Sequence, residues 1–135
     1  MRLLRLNDMT YKGLLDSEIL KEVLDAPNGL IGIDINDIKE LFQQDGEIHV
    51  FDVSVDASKE NRMALLMNQI KRLSKCYEPY NRALVFFYFP EALPLLMEEL
   101  KPFCEWIEYV PGEFMIKWGM ATQSAQELRA IVLLQ

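Results

Sequence analysis

The chain has 135 residues, 50% of them hydrophobic and 26% charged, and its 14 basic and 21 acidic side chains give a net charge of −7. That is the size and mix of one soluble globular domain. It excludes a disordered tail, a collagen-like repeat and a disulfide-stapled scaffold, and the acidic balance argues against nucleic acid as a partner.

We read residues 1–135 as a single domain, with 1–16 as an N-terminal extension. Charges interrupt every short apolar stretch from Met1 to Asp8, so no secretory signal is expected there. Residues 2–6 read as a short strand. Ser17 caps a helix whose apolar face is Ile19, Leu20, Val23 and Leu24, ended by Pro27-Asn28-Gly29. Asp34 reads as the N-cap of a second helix, with Asp37 three residues on and Ile38, Leu41 and Phe42 as its stripe. From Glu47 to Val55 the period becomes two, a strand with His49, Phe51, Val53 and Val55 on one face. Ser58 and Lys59 open a longer helix through about Ser74, its inner stripe being Met63, Leu66, Met67, Ile70 and Leu73.

Ala83 to Phe89 is apolar on both faces, which predicts a central strand. It is the longest apolar run, far short of the roughly 20 residues that span a bilayer, so a cytoplasmic, membrane-free protein is expected. A helix is expected from about Pro90 to Phe103, with Pro94 in or near its first turn. Strands at Glu113 to Trp118 and Glu127 to Leu134 flank a polar turn, Ala121-Thr122-Gln123-Ser124. The order predicts an α/β (α+β) two-layer sandwich: a four-stranded mixed sheet with two long helices on one face. Phe51, Val53, Val85, Phe87, Ile116 and Ile131 are its expected buried sheet positions. Phe86, Tyr88, Phe114 and Trp118 are expected to leave the opposite face apolar, favouring self-association or a partner.

Motifs with chemistry are few. Cys76 and Cys104 lack the paired spacing of a zinc site and read as reduced, half-buried thiols. Asp34, Asn36 and Asp37 lack the later ligands of a calcium loop. His49 is the single histidine, so no Ser-His-Asp or Cys-His arrangement can be built. Acids dominate residues 34–60 and bases residues 61–82, which either complements the helix dipoles or steers head-to-tail association. Most methionines read as core filler and the two tryptophans, Trp106 and Trp118, as core residues by default.

The stretch Gly29-Leu30-Ile31-Gly32-Ile33-Asp34-Ile35-Asn36-Asp37 resembles the loop and helix start joining the two domains of the tubulin-like cell-division GTPases, the FtsZ family. That family reads Gly-Leu-Ile-Asn, an apolar residue, Asp, two residues, then Asp. Glu60-Asn61-Arg62 is similar to its Gly-Glu-Asn-Arg helix opening, and the later elements follow in similar order over residues 17–134. The resemblance implies the family's C-terminal domain fold, with the tail of the central helix before it. It implies that Asp34 and Asp37 correspond to the aspartates that reach the neighbouring subunit's nucleotide and help activate water. As plain helix caps the pair is worth about 1 kcal/mol.

Gly32 departs from the family by replacing Asn, and the nucleotide-binding domain is missing from the chain. The six glycines, at 13, 29, 32, 46, 112 and 119, form no phosphate-cradling cluster. The expectation is therefore a non-catalytic, cofactor-free, metal-free interaction module. It presents Gly29, Gly32, Asp34 and Asp37 to a protein partner, a tubulin-like GTPase or a second copy, and forms a homo-oligomer. The alternative is a small oligomeric α/β enzyme or small-molecule binder whose subunit-interface cleft gathers His49, Arg62 and Arg82.

Overall fold

Alternation along the strands decides which side chains meet. In the computed structural model, which describes residues 9–11, 29–31, 41–42, 48–110 and 112–135, the strand predicted from Glu47 is Ile48–Asp56. Its Phe51 and Val53 enter one apolar cluster, while Ile48 and Val50 enter a second on the other face. The strand over Arg82–Pro90 does the same: Ala83, Val85, Phe87 and Phe89 face one way, and Leu84, Phe86 and Tyr88 the other. Burial on both sides explains its unbroken apolar sequence.

The described elements run β1 (Met9–Tyr11), β2 (Gly29–Ile31), β3 (Ile48–Asp56), α1 (Arg62–Ser74), β4 (Arg82–Pro90), α2 (Lys101–Tyr109), β5 (Met115–Gln123) and β6 (Glu127–Leu134). The four long strands form the expected mixed sheet, in the order β3-β6-β4-β5, with β4 and β5 parallel and the other two pairings antiparallel. Two strands of three residues extend it at the edges, β1 beside β3 and β2 beside β5. The expected elements at 2–6 and 17–24, and all but the end of that opened by Asp34, lie outside the described residues. Leu41 and Phe42, at that end, are buried in the second cluster.

The first cluster is the main core. Met63, Leu66, Met67 and Ile70 of α1 and Phe103 and Trp106 of α2 pack on Phe51, Val53, Val85, Phe87, Ala130 and Val132. Both helices begin at the end of the sheet where β3 and β4 finish, here the upper end, and finish at the lower end.

Four expectations are corrected. Residues 58–61 are a turn, because Asp56 Oδ1 accepts from Ser58 N–H (2.9 Å) and Oγ–H (2.8 Å), and α1 starts only at Arg62. The helix expected over 90–103 is displaced: Pro90 closes β4, a 3₁₀ turn occupies Met97–Leu100, and the short α2 begins at Lys101 with Pro102 in its first turn. Pro102 carried that signal, because proline is favoured at the first helical positions and Pro94 was the weaker choice. Ala121, Thr122 and Gln123 belong to β5, leaving the turn at 124–126. Finally, the sheet's second face is not left open at Phe86 and Tyr88, which are buried there with Ile131, while Phe114 and Trp118 pack, partly buried, on the helix side; of the expected buried positions, Ile116 alone is only partly buried.

Candidate interaction site

Glu60-Asn61-Arg62 leads into α1, and the arginine at its start makes five side-chain hydrogen bonds. Arg62 is only 5% exposed. Its Nε donates to Glu99 Oε2 (2.8 Å) and its Nη2 to Glu99 Oε1 (2.8 Å), a two-pronged ion pair. The remaining N–H groups reach three carbonyls: Nη1 those of Ala57 (3.2 Å) and Leu93 (3.0 Å), Nη2 that of Pro94 (2.9 Å). A guanidinium has five donors in a fixed fork, and here all five are used. Glu99 Oε1 also accepts from the Leu96 N–H at 3.0 Å, which closes the first turn of the 3₁₀ segment.

The clamp fixes the connection between β4 and α2, which buries Leu95 and Leu100 in the main core and turns Leu93, Leu96 and Met97 outward. Leu96 is 50% exposed and Met97 72%, with Leu93 beside them and Leu65, three residues beyond Arg62 on α1, also exposed. Exposed Leu and Met on a rigidly held segment form a ledge suited to a partner. Carboxylates of Glu60, Glu91 and Glu98 stand along the same upper end and outnumber Lys59 and Lys101 there. The sequence carried one cue, Glu60-Asn61-Arg62, but nothing in it joined Arg62 to Glu99, 37 residues away.

Hydrogen bonding from Arg62 is the main cause holding the Glu99 carboxyl below its ordinary value of 4.5, and the Leu96 N–H adds to it against the opposing effect of burial. A lowered folded value means the carboxylate's stabilisation is present above that ordinary value and lost as pH falls through the folded one. Glu99→Gln is expected to lower stability at neutral pH and to flatten its fall on acidification below about pH 5. Urea midpoints measured across that range check it.

The residues singled out in the sequence have different fates. Gly29 sits in β2 opposite Ala121, level with Tyr88 near the upper end of the sheet. Gly32, Asp34 and Asp37 lie outside the described residues. His49 stacks on Tyr77, ring centroids 4.1 Å apart, at the lower end. Arg82 is also at that end, donating to Leu41 O at 2.9 Å and meeting Met115 Sδ at 3.4 Å. Both pair alongside Leu134 or Gln135, whereas Arg62 is at the upper end and fully engaged, so one protomer does not gather the three around a cleft. Cys76 and Cys104 are free thiols and both exposed, rather than half-buried. Among the described residues no group of three or more His, Cys, Asp or Glu is arranged to hold a metal, and no helix is long and apolar enough to cross a membrane.

Neither a family model nor a curated protein matches the chain. Solved structures do. A tryptophan-to-tyrosine mutant of FtsZ from M. jannaschii aligns over 86% of this chain and 35% of its own, with a TM-score of 0.61 at 18% identity. CetZ2 from Haloferax volcanii, in a GTPγS-bound protofilament, aligns over 76% and 33% with a TM-score of 0.55 at 15% identity. CetZ1 from the same organism, a GDP-bound monomer, aligns over 76% and 33% with a TM-score of 0.50 at 20% identity. The chain thus spans about a third of the length of these proteins and shares the fold of that third, the FtsZ C-terminal-domain-like α+β sandwich.

Proposed function

We propose, from the fold held in common with FtsZ and CetZ, that this domain is a non-catalytic interaction module that docks on a tubulin-like GTPase and modulates its assembly. The observation that carries the reading is the ledge of Leu93, Leu96 and Met97, exposed yet pinned by Arg62 and Glu99. A partner covering it gains apolar burial without first ordering the segment, so little entropy opposes binding. Its complement is an apolar surface with a basic rim, because carboxylates predominate around the ledge. In sequence, β2 is followed by Asp34 and Asp37, the pair that the family resemblance singles out. By the family resemblance, Asp34 and Asp37 are assigned to that partner's nucleotide. We assign the module to the cytoplasm, acting without metal or cofactor. A second copy is the other partner of this chemistry, and the description of CetZ2 as a protofilament favours it as the runner-up.

The test is GTP turnover by the tubulin-like GTPase of the same cell with this protein titrated in. Wild-type protein is expected to change turnover dose-dependently. Leu96→Asp/Met97→Asp and Asp34→Ala/Asp37→Ala proteins are each expected to lose the effect. The first pair should keep its stability within about 0.5 kcal/mol, because both side chains already face solvent. No change in turnover at large excess of wild type retires the reading. Concentration-dependent sedimentation that the Leu96→Asp/Met97→Asp protein abolishes moves it to the second copy.

A further inference from the structure

The lower end of the domain, away from the ledge, carries two adjoining depressions of about 590 and 340 Å³ that share Glu78 and Tyr80. Volumes of this order are those of small-ligand sites. Beneath them lies a fixed aromatic base: Tyr80 meets Trp106 at 6.3 Å and the edge of Phe114 at 6.0 Å, and Trp106 meets Phe114 edge-on at 5.5 Å. The wall is equally fixed. Gln135 O accepts from the N–H groups of Asn81 and Arg82 (3.1 Å each), and Asn81 O accepts from Met115 N–H at 2.8 Å.

The charges are uneven. The larger depression is lined by the carboxylates of Glu78 and Glu113 and by the amides of Asn81 and Gln135, over Pro79, Tyr80 and Val110, with no basic side chain among these residues. Lys71 and Lys75 line only the smaller one, with Glu78 and Glu105.

The helix ends sharpen the contrast. Both helices finish here, and a helix C-terminus carries partial negative charge that basic residues normally offset. In α1 the last turn holds Lys71 and Arg72. In α2 the last turn has no basic residue; Glu105 and Glu108 precede its end and Glu113 follows just beyond. Like charges placed against a helix dipole cost stability, and a cation in the adjoining depression relieves that cost. Gly112, at φ 78°, carries the chain past this end in the left-handed region that favours glycine and lines the larger depression.

We propose that the larger depression is a binding site for an organic cation, an alkyl-ammonium or alkyl-guanidinium group on an apolar stem. Glu78 and Glu113 pair with the charge, the Tyr80 ring and Val110 take the stem, and the Asn81 and Gln135 amides complete the polar contacts. Carboxylates over an aromatic base suit such a group because charge-assisted bonds and cation–π attraction act on it together.

Agmatine titrated into the full chain, followed by amide chemical shifts, tests the site. Saturable shifts centred on residues 78–81 and 109–113 are expected. Neutral n-butanol at equal concentration should give none there. Glu78→Gln/Glu113→Gln protein should bind agmatine about tenfold more weakly or worse, through loss of charge-assisted contacts. Both glutamates are exposed, so the variant is expected to fold, and an unchanged spectrum elsewhere verifies it. A short arginine-containing peptide forms the second arm. Tighter binding than agmatine at the same residues identifies a protein side chain as the source of the cation, and equal or weaker binding a free amine. No saturable shift, or equal affinity in the double variant, overturns the site. Neither result depends on GTP turnover, so this site and the ledge stand or fall separately.

Discussion

Replacing Arg62 with alanine is expected to lower stability by about 3 kcal/mol and the melting temperature by about 10 °C. Removing one member of a buried pair strands its partners, which costs more than the pair contributes. Here the stranded groups are the Glu99 carboxylate and the carbonyls of Ala57, Leu93 and Pro94, all held by one guanidinium that is 5% exposed. Some of these regain water at the upper end, which keeps the expected cost at the low side of the range for a buried pair. Arg62→Lys should recover less than half of the loss. A lysine offers one ammonium where the fork reaches acceptors from three different segments. Thermal and urea unfolding of the two variants check this; an alanine variant within about 0.5 kcal/mol of wild type means the clamp does not hold the ledge.

That clamp also marks where sequence reading stopped. Strand positions were legible because period two and two-sided apolarity are local: β3 and β4 fall within a residue of the spans expected, and β6 begins and ends as expected. The long α1 was legible from its stripe, in which Met63, Leu66, Met67 and Ile70 are buried and Leu73 partly so. Its start was not, because the Asp56 carboxylate holds Ser58 in a turn through contacts that propensity does not encode. The face assignment of Trp118 failed for another reason. Nothing in β5 or β6 alone says which side of the sheet the helices cover, and a shift of one residue reverses every side chain. The ledge was hidden in a stretch read as helix, where Leu93, Leu96 and Met97 pass for core. Only the displaced start of α2 turns them outward. The lower depressions were invisible for the same physical reason: they gather residues 71–81 with 105–113 and Gln135, which only the packed helices bring together.

Trp106→Ala is expected to cost about 4 kcal/mol, the largest single effect among the core aromatics. Its indole is 1% exposed and packs against Tyr80, Phe103 and Phe114 at centroid separations of 6.3, 6.3 and 5.5 Å. Truncation loses the transfer energy of the ring and leaves a cavity that rigid neighbours cannot fill: Phe103 is already engaged edge-on with Phe87 at 5.1 Å, and Tyr80 and Phe114 with each other. Trp118 is the internal comparison, since its ring meets Phe103 at 5.8 Å but is only partly buried at the sheet edge. Trp118→Ala should therefore cost about half as much, because part of its surface is never removed from water. Phenylalanine in place of Trp106 should restore more than half of the loss by refilling most of the volume. Denaturant titrations of the three variants check the order. Near-equal losses at positions 106 and 118 would mean that the core does not centre on the junction of α2 with the sheet, and that the aromatic base of the cation site is not rigid.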